Sequence, residues 1–103
     1  MVEVHFITDL LPEVDKTEYT AWVKRAIDKI AIQPGLLEFK ALRNVLGSPL
    51  IRVCMSWEKM EDWKNYHMSD EWRRLEAEVR AYIVDVKMEI WESSPLTGEP
   101  LRL

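Results

Sequence analysis

Residues 36–57, LLEFKALRNVLGSPLIRVCMSW, give the clearest indication of the fold, because two stretches of alternating hydrophobic and polar residues flank a short turn. Every second residue from Ile51 to Trp57 is apolar, and this two-residue period is typical of a β-strand. The glycine and proline between the stretches favour a tight turn. The segment therefore predicts a β-hairpin with strands over 36–44 and 50–57. In the first of them Leu37 and Phe39 share the inner face, and Leu36 lies on the outer face.

The same alternation predicts two further strands, over residues 2–8 and 84–91. Between the first two strands, Asp15 is a candidate N-cap, with Glu18 at the capping-box spacing. Apolar residues then recur every three or four positions up to Gln33-Pro34-Gly35, which ends the helix. A short helix over 58–66 and a longer one after Ser69, a second N-cap candidate, precede the last strand.

The resulting order is β-α-β-β-α-β, the ferredoxin-like motif of the α+β class. We expect a four-stranded antiparallel sheet in one domain over residues 1–92, followed by an irregular tail over residues 93–103 whose leucines would pack on a partner subunit. Two amphipathic helices cover the apolar face of the sheet. The other face mixes charged residues with apolar ones such as Ile7 and Trp91. That mixture predicts a homodimer with two sheets face to face, and the alternative is a monomer with a mixed outer face.

Composition narrows the class of protein. Of the 103 residues, 48% are hydrophobic and 31% are charged, which is typical of a folded domain. The net charge of −4 argues against binding to nucleic acid or to an anionic membrane. The single cysteine, Cys54, excludes an intrachain disulfide and a multi-thiolate metal site, and no metal is expected. No apolar run is long enough for a membrane span and no signal peptide is visible, so we expect a cytoplasmic protein.

Several short motifs occur along the chain in a recognisable order. They are Pro34-Gly35-Leu36-Leu37-Glu38-Phe39, Ser56-Trp57-Glu58, Glu61-Asp62-Trp63 and His67-Met68-Ser69-Asp70-Glu71-Trp72. Over about residues 2–92 this pattern resembles the antibiotic biosynthesis monooxygenase (ABM) family. The resemblance implies a dimeric α+β barrel. In its ring-oxidising members an aromatic substrate lies between sheet and helices and reacts with molecular oxygen without a metal or flavin.

The resemblance carries over to some positions and not to others. Trp57 falls on the family's tryptophan at the end of strand three, and Trp63 falls where an oxidising relative has a pocket tyrosine. Val53 stands where that relative has an asparagine, which weakens the implied oxygenase activity. The haem-degrading branch uses a histidine that falls close to Glu76, so haem binding or degradation is the less favoured reading.

Candidate site residues follow from the resemblance together with the density of aromatic side chains. The indoles would stack on a flat ring, and a histidine between the helices would transfer a proton. Packing in the core is the alternative role for the aromatic residues. The charged run over residues 71–76 is interpreted as the solvated side of a helix. The catalytic candidates are His67 and Trp57, and the substrate-binding candidates are Trp63, Tyr66, Trp22, Phe39 and His5.

The sequence thus favours a cofactor-independent monooxygenase acting on a small phenolic or quinol-like aromatic compound. The alternative is a dimer of the same fold that binds a small molecule, or serves a structural role, without catalysis.

Overall fold

The computed structural model describes residues 1–103 and contains four strands and three helices. In chain order they are β1 (Val2–Leu10), α1 (Lys16–Ile30), β2 (Leu36–Arg43), β3 (Ile51–Trp57), α2 (Met60–His67), α3 (Asp70–Val79) and β4 (Ile83–Glu92). This order confirms the predicted α+β, ferredoxin-like chain, with the second helical segment divided into α2 and α3. Residues 93–103 contain no helix or strand.

The four strands form one antiparallel sheet in the order β2-β3-β1-β4. The two central strands, β1 and β3, pair Val4 opposite Met55. Both of these side chains are buried beneath the helices. The first and third strands therefore carry the centre of the core, while β2 and β4 form the edges.

Both predicted N-caps are present. The Asp15 carboxylate accepts hydrogen bonds from the backbone amides of Thr17 and Glu18, and the Ser69 hydroxyl accepts one from the amide of Trp72. Each cap satisfies amides that a helix start leaves without an intrahelical partner. Glu18 does not complete the capping box. Its carboxylate instead accepts a hydrogen bond of 3.1 Å from the Tyr82 hydroxyl, which ties α1 to the start of β4.

A β-bulge at the start of β2 corrects the predicted faces of that strand. The register against β3 shifts between Leu36 and Glu38. Leu36 pairs with Trp57 and packs against the core, whereas Leu37 is 57% exposed. The prediction that Leu37 lies inside and Leu36 outside was wrong, because one extra residue in a bulge reverses the alternation before it.

A second bulge lies where β4 leaves β1. Ile7 pairs with Lys87 and Asp9 pairs with Val84, so β4 supplies two residues where β1 supplies only Thr8. Asp85 adopts a φ of +57°, a left-handed conformation that aspartate tolerates better than most residues. The Thr8 hydroxyl donates a 2.7 Å hydrogen bond to the Val84 carbonyl and holds the bulge in place.

The outer face of the sheet carries no helix. Leu42 and Trp91 on this face are 49% and 56% exposed. Around them lies a network of charged side chains from β1, β3 and β4, described below. None of the helices is long and apolar enough to cross a membrane.

Candidate functional site

An apolar cavity of about 200 Å³ lies between the inner face of the sheet, α1 and α3. Of the 20 residues that line it, 17 are hydrophobic. The sheet contributes Ala41, Ile51 and Val53 here, beside larger side chains such as Phe39. Together these side chains leave a space beneath α1 unfilled. A concave apolar site with few polar groups is the usual form of a small-molecule pocket.

The cavity adjoins an open cleft of about 490 Å³ beside β4. Phe6, Glu76 and Arg80 are among the residues that line both spaces. The cleft also receives His67 from the end of α2 and Asp85 from the bulge in β4. The apolar cavity therefore meets the solvent through a polar rim.

Three polar residues line the cavity itself, and two of them lie at this rim. Thr8 is buried, and its hydroxyl already donates to Val84. Glu76 and Arg80 are one helical turn apart and form an ion pair of 3.7 Å. Trp72 lies one turn before Glu76, so these three side chains follow one face of the α3 segment along the cavity.

Helix α1 forms the cavity wall opposite the sheet and is held by hydrogen bonds to carboxylates. The indole N–H of Trp22 donates to Glu78 over 2.8 Å, and the hydroxyl of Tyr82 donates to Glu18. Trp22 also packs against the Tyr82 ring, with 5.9 Å between the ring centroids. Desolvation, followed by the hydrogen bond to Glu18, raises the pKa of Tyr82, so its hydroxyl remains a donor at neutral pH. We call the Trp22–Glu78 and Tyr82–Glu18 pairs the α1 latch.

The structure brings only part of the predicted site together. Trp22 and Phe39 line the apolar cavity, and His67 lines the adjoining cleft. Trp57, Trp63 and Tyr66 belong to the buried core and line neither space. Trp57 is completely buried, and so the structure leaves its indole no free face on which a ring could stack.

The aromatic core is packed without a slot for a flat ring. Trp63 meets Trp72 edge to face, with centroids 5.2 Å apart and planes at 81°. Trp57 lies 5.9 Å from Trp63 and 5.8 Å from Tyr66. These separations are those of rings in direct contact. The core therefore supports the cavity through Trp72, the member of the cluster that lines it.

Three polar atoms in this core have no hydrogen-bond partner, the indole nitrogens of Trp57 and Trp72 and the hydroxyl of Tyr66. Burial, and then the negative charge of Glu71, raises the pKa of the Tyr66 hydroxyl far above its ordinary value. Burial thus favours the neutral, protonated form of this hydroxyl.

His5 lies on the outer face of the sheet, away from the cavity. Its Nδ1 atom is 2.8 Å from a guanidinium nitrogen of Arg52. Because a guanidinium can only donate, Nδ1 must accept, which assigns the ring proton to Nε2, at 3.5 Å from Glu3. His5 is thereby a neutral acceptor within a surface network.

The same network continues to β4. Arg52 lies 3.5 Å from Glu89, which also approaches Lys87 at 3.0 Å and accepts a 3.1 Å hydrogen bond from the Trp91 indole. These hydrogen bonds, from Lys87 first and then from Trp91, lower the pKa of Glu89. The charged side chains of the outer face are thus connected by hydrogen bonds and ion pairs across β1, β3 and β4.

The rim of the cavity was not predicted from the sequence. Glu76 was assigned to the solvated side of a helix, and Thr8 and Arg80 were not among the candidate site residues. The four-residue spacing of Trp72, Glu76 and Arg80 was visible in the sequence and places them on one helical face. No group of three or more histidine, cysteine or acidic residues is arranged to hold a metal ion.

Comparisons with known proteins bear on the fold. No protein-family model matches the sequence, and no curated protein matches it significantly. Solved structures do match. An antibiotic biosynthesis monooxygenase is 14% identical, with 92% of this chain and all of that chain covered and a TM-score of 0.77. A variant of SnoaB, a cofactor-independent oxygenase from Streptomyces nogalater, is 15% identical, with 94% and 98% covered and a TM-score of 0.73.

A third solved structure is a dimeric protein of unknown function and ferredoxin-like fold from Bacteroides fragilis. It is 14% identical, with 89% of this chain and 95% of that chain covered and a TM-score of 0.67. At these identities the comparisons establish that this chain has the fold of antibiotic biosynthesis monooxygenases.

Proposed function

We propose that the chain binds a small phenolic or quinol-like compound in the cavity beneath α1 and oxidises it with molecular oxygen, without a metal or flavin. The observation that carries the proposal is the apolar cavity of about 200 Å³ beside a polar rim. The shared fold with a cofactor-independent oxygenase supports the reaction type. For a simple phenol the reaction balances as phenol plus O₂ giving a quinone plus water.

In this proposal Trp22 and Phe39 contact the substrate ring, because both line the cavity. His67 lies at the rim and serves as the proton acceptor for the phenol. The His67 ring packs on Trp63, with 5.0 Å between centroids, which fixes its position beside the cleft. Trp57, Trp63 and Tyr66 act by packing behind the cavity wall, a change from the contacts that the sequence suggested.

Oxygen uptake tests the activity. A panel of phenols and hydroquinones is incubated with the wild-type protein and with Val53→Phe, which places a larger ring in the cavity. We expect uptake with at least one compound in the wild type and its loss in Val53→Phe. Ile32→Phe, at a position 80% exposed to solvent, is the matched control and retains the activity. Oxygen uptake that is absent, or equal in all three proteins, would contradict the proposal that the protein is an enzyme.

A binding protein without catalysis is the second candidate, and the cavity's own lining favours it. Thr8 is already engaged as a donor, and no histidine lines the apolar cavity itself. A bound phenol that causes no oxygen uptake would decide for this candidate. The same lack of a histidine removes the proximal ligand that haem commonly needs, so haem is not proposed as an occupant.

We further propose that two copies of the chain associate through their outer sheet faces. Exposed Trp91 and Leu42 lie there beside the charged network, and a protein of the same fold is described as dimeric. Burying such apolar groups would drive association. Sedimentation equilibrium at micromolar concentration should give twice the 12.2 kDa chain mass. Trp91→Lys should shift the protein to monomer, while Ile32→Lys should not.

A further inference from the structure

Glu76 is the only carboxylate that lines the apolar cavity, and it also lines the cleft outside. A molecule that enters the cavity from the cleft passes between the residues that line both spaces, and Glu76 is one of them. The polar end of such a molecule would come to rest beside Glu76, because Glu76 is the only charged acceptor in the lining, whereas the buried Thr8 hydroxyl, which donates to Val84, offers only a neutral acceptor.

The carboxylate of Glu76 has acceptor capacity to spare. Its one ionic partner is Arg80, and their separation of 3.7 Å is longer than a hydrogen bond. An ionised carboxylate accepts several hydrogen bonds and donates none. Glu76 can therefore receive a hydrogen bond from a ligand without breaking one that the protein already makes.

The other charges at the rim decide which ligand ends are acceptable. Glu76 and Asp85 are negative, Arg80 is positive, and His67 adds no charge when it is neutral. The rim thus carries an excess of negative charge. Arg80 is 68% exposed, so water screens much of its attraction for an anion inside the cavity. An anionic group at this position would meet repulsion from Glu76, whereas a hydrogen-bond donor would be stabilised.

From this geometry we infer that the cavity selects ligands whose polar end is a hydroxyl group that donates to Glu76, and that it discriminates against aromatic carboxylates of the same shape. The inference deepens the proposed function, on which it rests, by naming the group that orients the ligand. Glu76 is a specificity-determining residue in this account, since it fixes which end of the ring lies at the rim. A phenol donates this hydrogen bond, while an ether or a carboxylate lacks the proton to do so.

The size of the expected preference for a hydroxyl ligand depends on how far Glu76 is exposed to water. A hydrogen bond to a charged group is commonly equivalent to about a tenfold to hundredfold change in affinity. The Glu76 side chain is 45% exposed, so competing water reduces its effect. We therefore expect about a tenfold preference for the hydroxyl compound.

Three ligands with one bicyclic body test the inference, namely 2-naphthol, 2-methoxynaphthalene and 2-naphthoate. Their binding is measured by calorimetry near pH 7 without oxygen, so that no oxidation occurs. We expect 2-naphthol to bind about tenfold more tightly than either of the other two. Glu76→Gln keeps an acceptor but removes the charge, and should relieve the penalty on 2-naphthoate. Glu76→Leu removes the acceptor and should abolish the advantage of 2-naphthol over the ether. Glu61→Gln, an exposed position in α2, is the charge-matched control and should change neither ratio.

The outcomes separate the inference from the proposed function. Equal affinities for the three ligands, unchanged in Glu76→Gln, would overturn the selection by Glu76 while leaving the pocket standing. Tighter binding of 2-naphthoate would identify Arg80 as the anchor and overturn it as well. If none of the ligands binds, the proposed pocket and the inference both fall. Should either variant fail to fold by circular dichroism, the three wild-type affinities still decide.

Discussion

The space between the sheet and the helices is filled at one end and hollow at the other. Beneath α2, Trp57, Trp63 and Tyr66 pack in direct contact. Beneath α1, the sheet presents Ala41 and Val53, and a cavity of about 200 Å³ remains. We call these regions the packed half and the hollow half.

The two halves have similar aromatic content but differ in what lies opposite the rings. In the packed half, side chains from the helices meet Trp57 from the sheet, so large groups interlock. In the hollow half, Tyr19 and Trp22 of α1 pack on Tyr82, and the cavity separates this helix from sheet residues such as Ala41 and Val53. A cavity forms where the side chains of two facing layers do not fill the space between them. We therefore expect the packed half to contribute most of the stability, and the hollow half is the place where the proposed ligand would bind.

The largest effect expected is the loss of an indole from the packed half. Trp57→Ala should reduce the free energy of unfolding by about 3–5 kcal/mol, the usual range for removing a large buried aromatic side chain. Urea unfolding followed by circular dichroism measures it. The comparison would break if the destabilisation were below about 1 kcal/mol, since that would mean the packed half is not tightly filled.

A substitution at Gly35, which follows α1, tests how closely the backbone there packs against α2 in the packed half. Its φ is +85°, and a Cβ there would overlap the Asp62 side chain of α2. Gly35→Ala should therefore lower the free energy of unfolding by about 1–3 kcal/mol. Gly98→Ala is a control for conformation alone, because its φ is +58° and no atom lies near its Cβ position. Equal losses in the two variants would show that the contact with Asp62 is unimportant.

The same substitution, valine to phenylalanine, should have different effects on stability in the two halves. Val4→Phe adds volume to a position with no exposed surface and should cost about 1–3 kcal/mol through overpacking. Val53→Phe enlarges a side chain that borders the cavity and should change the stability by about 1 kcal/mol or less. Thermal or urea unfolding of the pair gives the difference. If Val53→Phe proved the more damaging, the hollow half would not be hollow in solution.

The α1 latch predicts a smaller effect confined to the hollow half. Trp22→Phe keeps a ring but removes the hydrogen bond to Glu78, and should cost about 1 kcal/mol. Ligand exchange should become faster, because α1 is less firmly held over the cavity. Stopped-flow fluorescence with 2-naphthol measures the dissociation rate. An unchanged rate would mean that ligands do not pass beneath α1.

The charged network on the outer face of the sheet should have a weaker effect on stability, and this effect depends on pH. The folded state lowers the pKa of Glu89 from 4.5, mainly through hydrogen bonds from Lys87 and Trp91. A lowered carboxyl pKa contributes stability that is present above the unfolded-state pKa and is lost as the pH falls through the folded-state pKa. The wild type should therefore lose stability below about pH 4.5 more steeply than Glu89→Gln. Parallel pH profiles would show that the network contributes nothing.

Much of the architecture could be predicted because alternation and spacing are local signals. The period of two along β3 and the caps at Asp15 and Ser69 each depend on neighbouring residues alone. The bulges at Leu36 and Asp85 could not be predicted, since each depends on the register against another strand. A register shift leaves no periodic trace in a single sequence. The predicted faces of Leu36 and Leu37 were therefore reversed.

The site was harder to predict than the fold. Periodicity places Trp22, Trp57 and Trp63 on inward faces, but it does not give the depth at which each lies or what faces it. Trp57 is enclosed by the rings of Trp63 and Tyr66, whereas Trp22 borders a cavity that it shares with Val53 of the sheet. Glu76 was assigned to solvent because charged residues surround it in the sequence, although the turn of α3 brings it to the rim.

Intermolecular nuclear Overhauser effects between 2-naphthol and the protein test the central claim, that the hollow half receives a small aromatic molecule. We predict cross-peaks from the naphthol ring to the methyl groups of Val53, Ile27 and Val79, which line the cavity on three sides. Cross-peaks only to Trp91 and other residues of the outer face, or none at saturating concentration, would contradict the account.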